Sequence, residues 1–180
     1  MNPKIQKLLE KTKGQKVGLF IDNANWFYPQ QELGWRVSFS KLRDFLAKDY
    51  ALTTLRLYAG TPLDDKDTAN FDRFVRAVKQ AGFEVITKPL KKIWIDRAKT
   101  KFEYKCNFDV EIAFDVARQI DQLDLVIIGS GDSDFLEVRS YVLEHGKSFM
   151  VLCFEKGIAW EMRKGYHIFL EDLRELIENK

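Results

Sequence analysis

Asp22, Asp109, Asp132 and Asp134 are the residues whose type and spacing point most directly to chemistry. Asp22 ends a short apolar run, KVGLFID, and Asp132 and Asp134 fall in the turn SGDSD after a second apolar run, LDLVIIG. Asp109 opens a helical pattern, so its side chain can point back toward the same edge of a sheet. Two ionised carboxylates about 4 Å apart repel by about 4 kcal/mol at an effective dielectric near 20. A fold that gathers several of them therefore needs a cation, a proton or a basic partner. Ligands that are all oxygen, with no His or Cys at metal-ligand spacing, favour Mg²⁺ or Mn²⁺ over zinc. Each acid also has an ordinary reading taken singly, because Asp at a helix start is a common N-cap and that alone accounts for Asp109 or Asp134.

Asn25 lies just past Asp22, where an amide can orient a phosphate, a water or a carboxylate, although asparagine is also a frequent turn residue. Asp115 sits in the middle of an apolar helical run, about 240° of rotation from Asp109. The two do not face one site on a regular helix, and a pairing of Asp115 with a nearby arginine such as Arg118 is the simpler reading. His145 and His167, at a helix end and a strand start, read as structural.

The elements that must position these acids alternate along the chain. Apolar runs bounded by turn residues predict strands over 16–22, 52–59, 83–87, 123–129, 148–153 and 167–170. Helical spacing predicts helices over 40–48 with Ser40 as N-cap, and over 65–81, 109–120, 134–144, 158–163 and onward from 172. Strands alternating with helices of about ten residues imply right-handed βαβ units and a mostly parallel α/β sheet. In such sheets ligands bind beyond the carboxyl ends of the strands, which is where Asp22, Asp132 and Asp134 fall. The run over 123–129 is the most apolar and is expected at the centre.

A length of 180 residues suits one domain, and 46% apolar with 31% charged residues is the profile of a globular chain. No apolar run approaches the ~20 residues that span a bilayer, and the polar start lacks a signal-peptide pattern. The expected location is therefore cytoplasmic, with Cys106 and Cys153 as free thiols and no membrane partner. The net charge of +2 is uneven: residues 88–105 hold seven basic side chains against Asp96 and Glu103, a local +5 that leaves −3 for the rest. That segment carries Trp94, Phe102 and Tyr104 among its cations and has no helical period, so it reads as a hairpin or an ordered loop. Cations that follow phosphates beside rings that stack on bases make a nucleic-acid surface, with Lys91, Lys92, Lys99, Lys101 and Trp94 as candidate substrate contacts. Trp26, Phe27 and Tyr28 follow the acidic turn and read equally as groove wall or as core.

The strings FIDNAN, DVEIAFD and LVIIGSGDSDF together resemble the NYN domain family, a branch of the PIN-like nucleases that includes the LabA-like bacterial proteins. The resemblance runs over about residues 16–170 and implies a single-domain, PIN-like three-layer sandwich, with residues 1–15 as a helical extension and 88–105 as a basic insertion. It also implies an endoribonuclease in which Asp22, Asp109, Asp132 and Asp134 hold Mg²⁺ or Mn²⁺, with Asn25 beside them and Asp115 as a second-tier acid. RNA is the partner this implies, with DNA and a homo-oligomer both compatible. Two rivals stand beside it: a catalytically silent RNA- or protein-binding module, and a small-molecule phosphohydrolase. The second lacks the acid expected two residues after Asp22, where Ala24 stands.

Overall fold

The computed structural model describes residues 3–95 and 100–179. In chain order the elements are α1 (Pro3–Lys11), β1 (Lys16–Asp22), α2 (Asn23–Leu33), α3 (Phe39–Leu46), β2 (Ala51–Thr61), α4 (Asp65–Gln80), β3 (Glu84–Pro89), β4 (Lys91–Trp94) and β5 (Phe102–Lys105). They continue as α5 (Asp109–Gln119), β6 (Leu125–Gly129), α6 (Leu136–Glu144), β7 (Ser148–Cys153), α7 (Trp160–Arg163), β8 (Tyr166–Phe169) and α8 (Arg174–Ile177). Six strands form one sheet in the order β3-β2-β1-β6-β7-β8, and every pairing in it is parallel.

The strand sequences explain why both faces are covered. All of β6 is buried, and so is β1 beyond Lys16, as expected of parallel strands roofed on both sides. Successive side chains point to opposite faces. Leu19, Ile21, Leu125 and Ile127 therefore enter one core, with Ile5 and Leu9 of α1, Trp26 of α2, Leu42 of α3, Val78 of α4 and Ile177 of α8. Phe20, Val126 and Ile128 enter the other, with Ile112 and Val116 of α5, Val138 and Val142 of α6 and Met162 of α7. Helices thus lie on both faces of an α/β sheet. The N-terminal helix packs into the first core, and Thr12 just beyond it shares a 2.7 Å hydroxyl contact with Tyr50.

Several boundaries differ from those expected. Helix α2 begins directly after Asp22, where the sequence reads as a turn; it has no apolar stripe and carries Pro29 internally, so no helical period announced it. Ser38 caps α3 in place of Ser40. A 3₁₀ turn over Ser133–Phe135 precedes α6, and a second over Leu170–Leu173 precedes α8. Strand β2 runs on through Gly60 to Thr61. Within segment 88–105, β4 and β5 pair antiparallel as the two arms of a hairpin apart from the main sheet, whereas Lys88 and Pro89 end β3.

Gly60 shows how the hairpin is rooted. A Cβ there would lie 2.4 Å from Leu90 Cδ2 and 3.2 Å from Cys106 Cβ, so the base of the hairpin crosses directly over β2. The backbone N–H of Leu90 donates to the Thr61 carbonyl at 3.0 Å and continues the contact.

Candidate active site

The chain leaves β1 toward β2 on one side and leaves β6 toward β7 on the other, although β1 and β6 are neighbours. Connections diverging from two adjacent strands open a crevice past their carboxyl ends, the usual ligand position in such sheets. Asp22 is the last residue of β1, and Asp132 comes three residues after β6.

Glycines set the path of the second turn. A Cβ on Gly129 would sit 2.9 Å from Ile21 Cα, and one on Gly131 would sit 2.5 Å from the Gly157 carbonyl oxygen and 2.6 Å from Ile158 Cα. The Gly131 carbonyl accepts the Ala159 N–H at 2.8 Å, which ties the turn to the segment before α7. Buried Ser130 accepts the Asp132 N–H at 3.2 Å, and Asp132 Oδ1 accepts the Asp134 N–H at 3.1 Å. Asp132 is thus oriented by capping its own turn, with Asp134 exposed beside it.

Asp22 is 7% exposed. Its Oδ1 accepts the Ala24 N–H at 3.0 Å and its Oδ2 accepts Asn25 Nδ2 at 2.8 Å. Burial pushes its pKa up; those two hydrogen bonds oppose the rise, and the charges of Asp109 and Asp132 add to it. Asp109 is the first residue of α5. Asn107 Oδ1 accepts its N–H at 2.8 Å, and Asn107 Nδ2 donates to Asp109 Oδ2 at 2.5 Å. Its pKa is also raised, first by burial against the Asn107 bond, then by Asp134 and Asp132. Asp22 thus feels the charges of Asp109 and Asp132, and Asp109 those of Asp132 and Asp134. Among the described residues none of them is joined to a cation by an ion pair.

This donor set suits a hard divalent ion. All the donors are oxygens, and their mutual repulsion is what a dication relieves. Among the described residues no three His, Cys, Asp or Glu side chains stand close enough to form a complete ligand cage. Mg²⁺ does not require one, since it keeps several waters and takes one or two carboxylates.

Asp115 does not join this group. Its Oδ2 accepts the Tyr58 hydroxyl at 2.7 Å and pairs with Arg56 Nη1 at 2.8 Å, while Arg118 Nη1 lies 3.5 Å from Oδ1. Desolvation and the adjacent Asp115 push the Tyr58 phenol well above its ordinary value. Asn25 directs its amide to Asp22, not to open space. Trp26 is fully buried and packs 6.2 Å from Phe39, which makes it core, whereas Phe27 and Tyr28 remain exposed. His145 and His167 direct Nδ1 at the Tyr141 and Gly165 carbonyls.

The crevice opens into a groove of about 1800 Å³. Its walls include Asp22, Asp109, Asp132, Phe27, Tyr28 and Tyr104. Small-molecule sites usually occupy ~300–1,000 Å³, so this one has room for a longer chain. Lys91, Lys92 and Trp94 lie on the hairpin strand β4, and Lys101 immediately precedes β5. Lys99 lies outside the described residues. Two residues that shape the site were missed in the sequence. Asn107 was legible as an Asx residue two positions before a helix-start acid. Tyr58, facing Asp22 across β1 and β2, had no local signal.

The sequence matches the family profile of the NYN domain over residues 16–172. The chain belongs to the NYN domain family. NYN domains are nuclease-like, which assigns the protein at that coarse level. This NYN domain is 28% identical over 165 residues to the low amplitude and bright protein LabA of Synechococcus elongatus, covering 91% of this chain and 88% of that one. Its fold is similar to a crystal structure of a protein of unknown function from Vibrio parahaemolyticus, with a TM-score of 0.68 and 21% identity. That match covers 87% of this chain and 93% of the other. Among the described residues no helix is long and apolar enough to cross a membrane.

Proposed function

We propose that this NYN domain is a metal-dependent endoribonuclease that hydrolyses phosphodiester bonds in the groove above β1 and β6. The observation that carries this reading is that Asp22, Asp109 and Asp132 line one groove of about 1800 Å³ without a pairing cation among the described residues, with Asp134 beside Asp132 in the same turn. A groove of that size also weighs against a small-molecule phosphohydrolase.

The chain's own residues do the positioning. Asn25 and the Ala24 N–H hold the two oxygens of Asp22, so its carboxylate keeps one orientation as substrate arrives. Asn107 clasps Asp109 through both its amide atoms, holding the backbone N–H and Oδ2. Asp132 holds its turn through Oδ1 and keeps Oδ2 for a ligand. A bound Mg²⁺ or Mn²⁺ would lower the pKa of a water and offset charge on the reacting phosphoryl group. Lys91, Lys92, Lys101 and Trp94 belong to the hairpin whose base lines the groove at Leu90 and Tyr104, and in this reading they contact the substrate.

The test is cleavage of end-labelled RNA and of a matched DNA strand by wild type and Asp132→Asn, with Mg²⁺, with Mn²⁺ and with EDTA. Changes in the outer partners of metal ligands already cost ~10–100-fold, so Asp132→Asn should lose at least about 100-fold. Internal cuts in RNA that vanish with EDTA are expected. Cleavage that survives the substitution marks a contaminant, and a wild type inert with both metals refutes the nuclease and leaves the silent binding module.

A further inference from the structure

We infer that one face of the β4–β5 hairpin is a stacking platform for unpaired nucleobases, operating independently of the acidic crevice. The sequence showed cations and aromatics mixed along 88–105; the register sorts them. Lys92 pairs with Tyr104 and Trp94 with Phe102, so these four side chains share one face, while Lys91, Ile93 and Lys105 belong to the other.

The rings on that face form a connected row. Trp94 and Phe102 meet edge to face with centroids 5.6 Å apart, and Phe102 and Tyr104 do the same at 5.3 Å. Lys92 Nζ lies 3.9 Å from the Phe102 ring centroid and 4.5 Å from that of Trp94. Trp94 and Phe102 nonetheless remain 41% and 42% exposed, so the row does not close a core. Lys92 therefore belongs to the platform.

Charge and continuity select the occupant. The segment carries a local +5, which favours a polyanion over an apolar partner. Aromatic rings beside cations are how single-stranded nucleic acid is held, because every base has a stacking face. The row leads to the reacting groups: Tyr104 and Leu90 at the hairpin base line the same groove as Asp22, Asp109 and Asp132. Leu90 is locked across Gly60, so the platform has a fixed origin relative to the crevice. Only the statement that a strand bound here is delivered for cleavage rests on the proposed nuclease.

The experiment is fluorescence anisotropy of the full chain in EDTA, using an oligouridylate of about 12 nucleotides and an abasic ribose–phosphate strand of equal length. Each base stacked on an aromatic side chain changes affinity by roughly 5- to 150-fold, so the oligouridylate should bind at least about 10-fold tighter. The double variant Trp94→Ala/Phe102→Ala should erase that preference while keeping the salt slope, since no phosphate contact is lost. Ile93→Ala on the opposite face should leave the preference intact. Trp94→Phe keeps a ring in place and should retain the preference, which separates loss of stacking from loss of folding. Equal binding of both strands by wild type, no binding of either, or a preference that survives the double variant each overturn the inference. Binding is read without metal, so a protein that prefers bases but never cleaves keeps the platform and loses only the nuclease; a nuclease indifferent to bases does the reverse.

Discussion

Replacing Asp115 tests whether this acid holds the fold or belongs with the acids of the crevice. Its side chain is 14% exposed and carries the Tyr58 hydroxyl bond and the Arg56 pair, with Arg118 more distant. Removing one partner of a buried pair costs about 3–5 kcal/mol. Here Arg56 is 22% exposed and keeps Glu84 at 2.7 Å, which brings that cost down to about 2–3 kcal/mol. The Tyr58 hydroxyl, left without its acceptor in a buried position, adds about 1 kcal/mol. Asp115→Ala should therefore destabilise the protein by about 3–4 kcal/mol, a fall in Tm of roughly 6–16 °C for a domain of this size. Asp115→Asn keeps an acceptor for Tyr58 and should lose about half as much. Urea unfolding with calorimetry reads both, and Asp132→Asn is the contrast. Its charge has no cationic partner among the described residues, so its removal should change metal-free stability by less than about 1 kcal/mol. A cost below about 1 kcal/mol for Asp115→Ala would refute this account. So would an Asp115→Asn variant of unchanged stability that had lost cleavage, because the acid would then belong to the reacting centre.

Mg²⁺ at a hundred times its Kd should add about 2.7 kcal/mol of stability to wild type and much less to Asp22→Asn, read as a thermal shift. Burial raises Asp22 and Asp109 above the ordinary 3.8, so the metal-free protein keeps their protonation-linked stability in full below that value and loses it as pH rises through their folded-state pKa values. The stability advantage of Asp22→Asn over wild type should consequently shrink as pH falls toward 3.8 in EDTA, and an advantage independent of pH would contradict the burial account. Gly131→Ala would place a Cβ 2.5 Å from a backbone oxygen that no side-chain rotation can clear. It should cost about 1–3 kcal/mol and weaken the Mg²⁺ response, while a fully stable variant with normal metal response would show that the turn is not held there.

Much of the crevice was legible because its determinants are local. A carboxylate at the end of an apolar run, and two more in a glycine turn after another, follow from strand patterning and from the rule that parallel α/β sheets bind ligands past their carboxyl ends. Asp115 was separable from Asp109 by helical rotation alone. Helix α2 was not legible, because Pro29 and the lack of an apolar stripe erase the period on which such a reading depends. The aromatic trio after Asp22 could not be divided in advance. Which of Trp26, Phe27 and Tyr28 is core depends on where Phe39 comes to rest.

Motif, strand period and chain order suffice for the family, the parallel α/β class and the positions of the four aspartates along the chain. It takes the folded chain to show that Asp22 is clasped by Asn25, that Asp115 is held by Arg56 and Tyr58, and that Lys92 shares a hairpin face with Trp94, Phe102 and Tyr104. Arg56, Tyr58 and Asp115 lie on different elements, and no local pattern records which side chains long-range packing will bring within reach. Strand register is equally silent in sequence here. With cations and rings on both hairpin strands, a slip of one residue would turn each side chain to the other face.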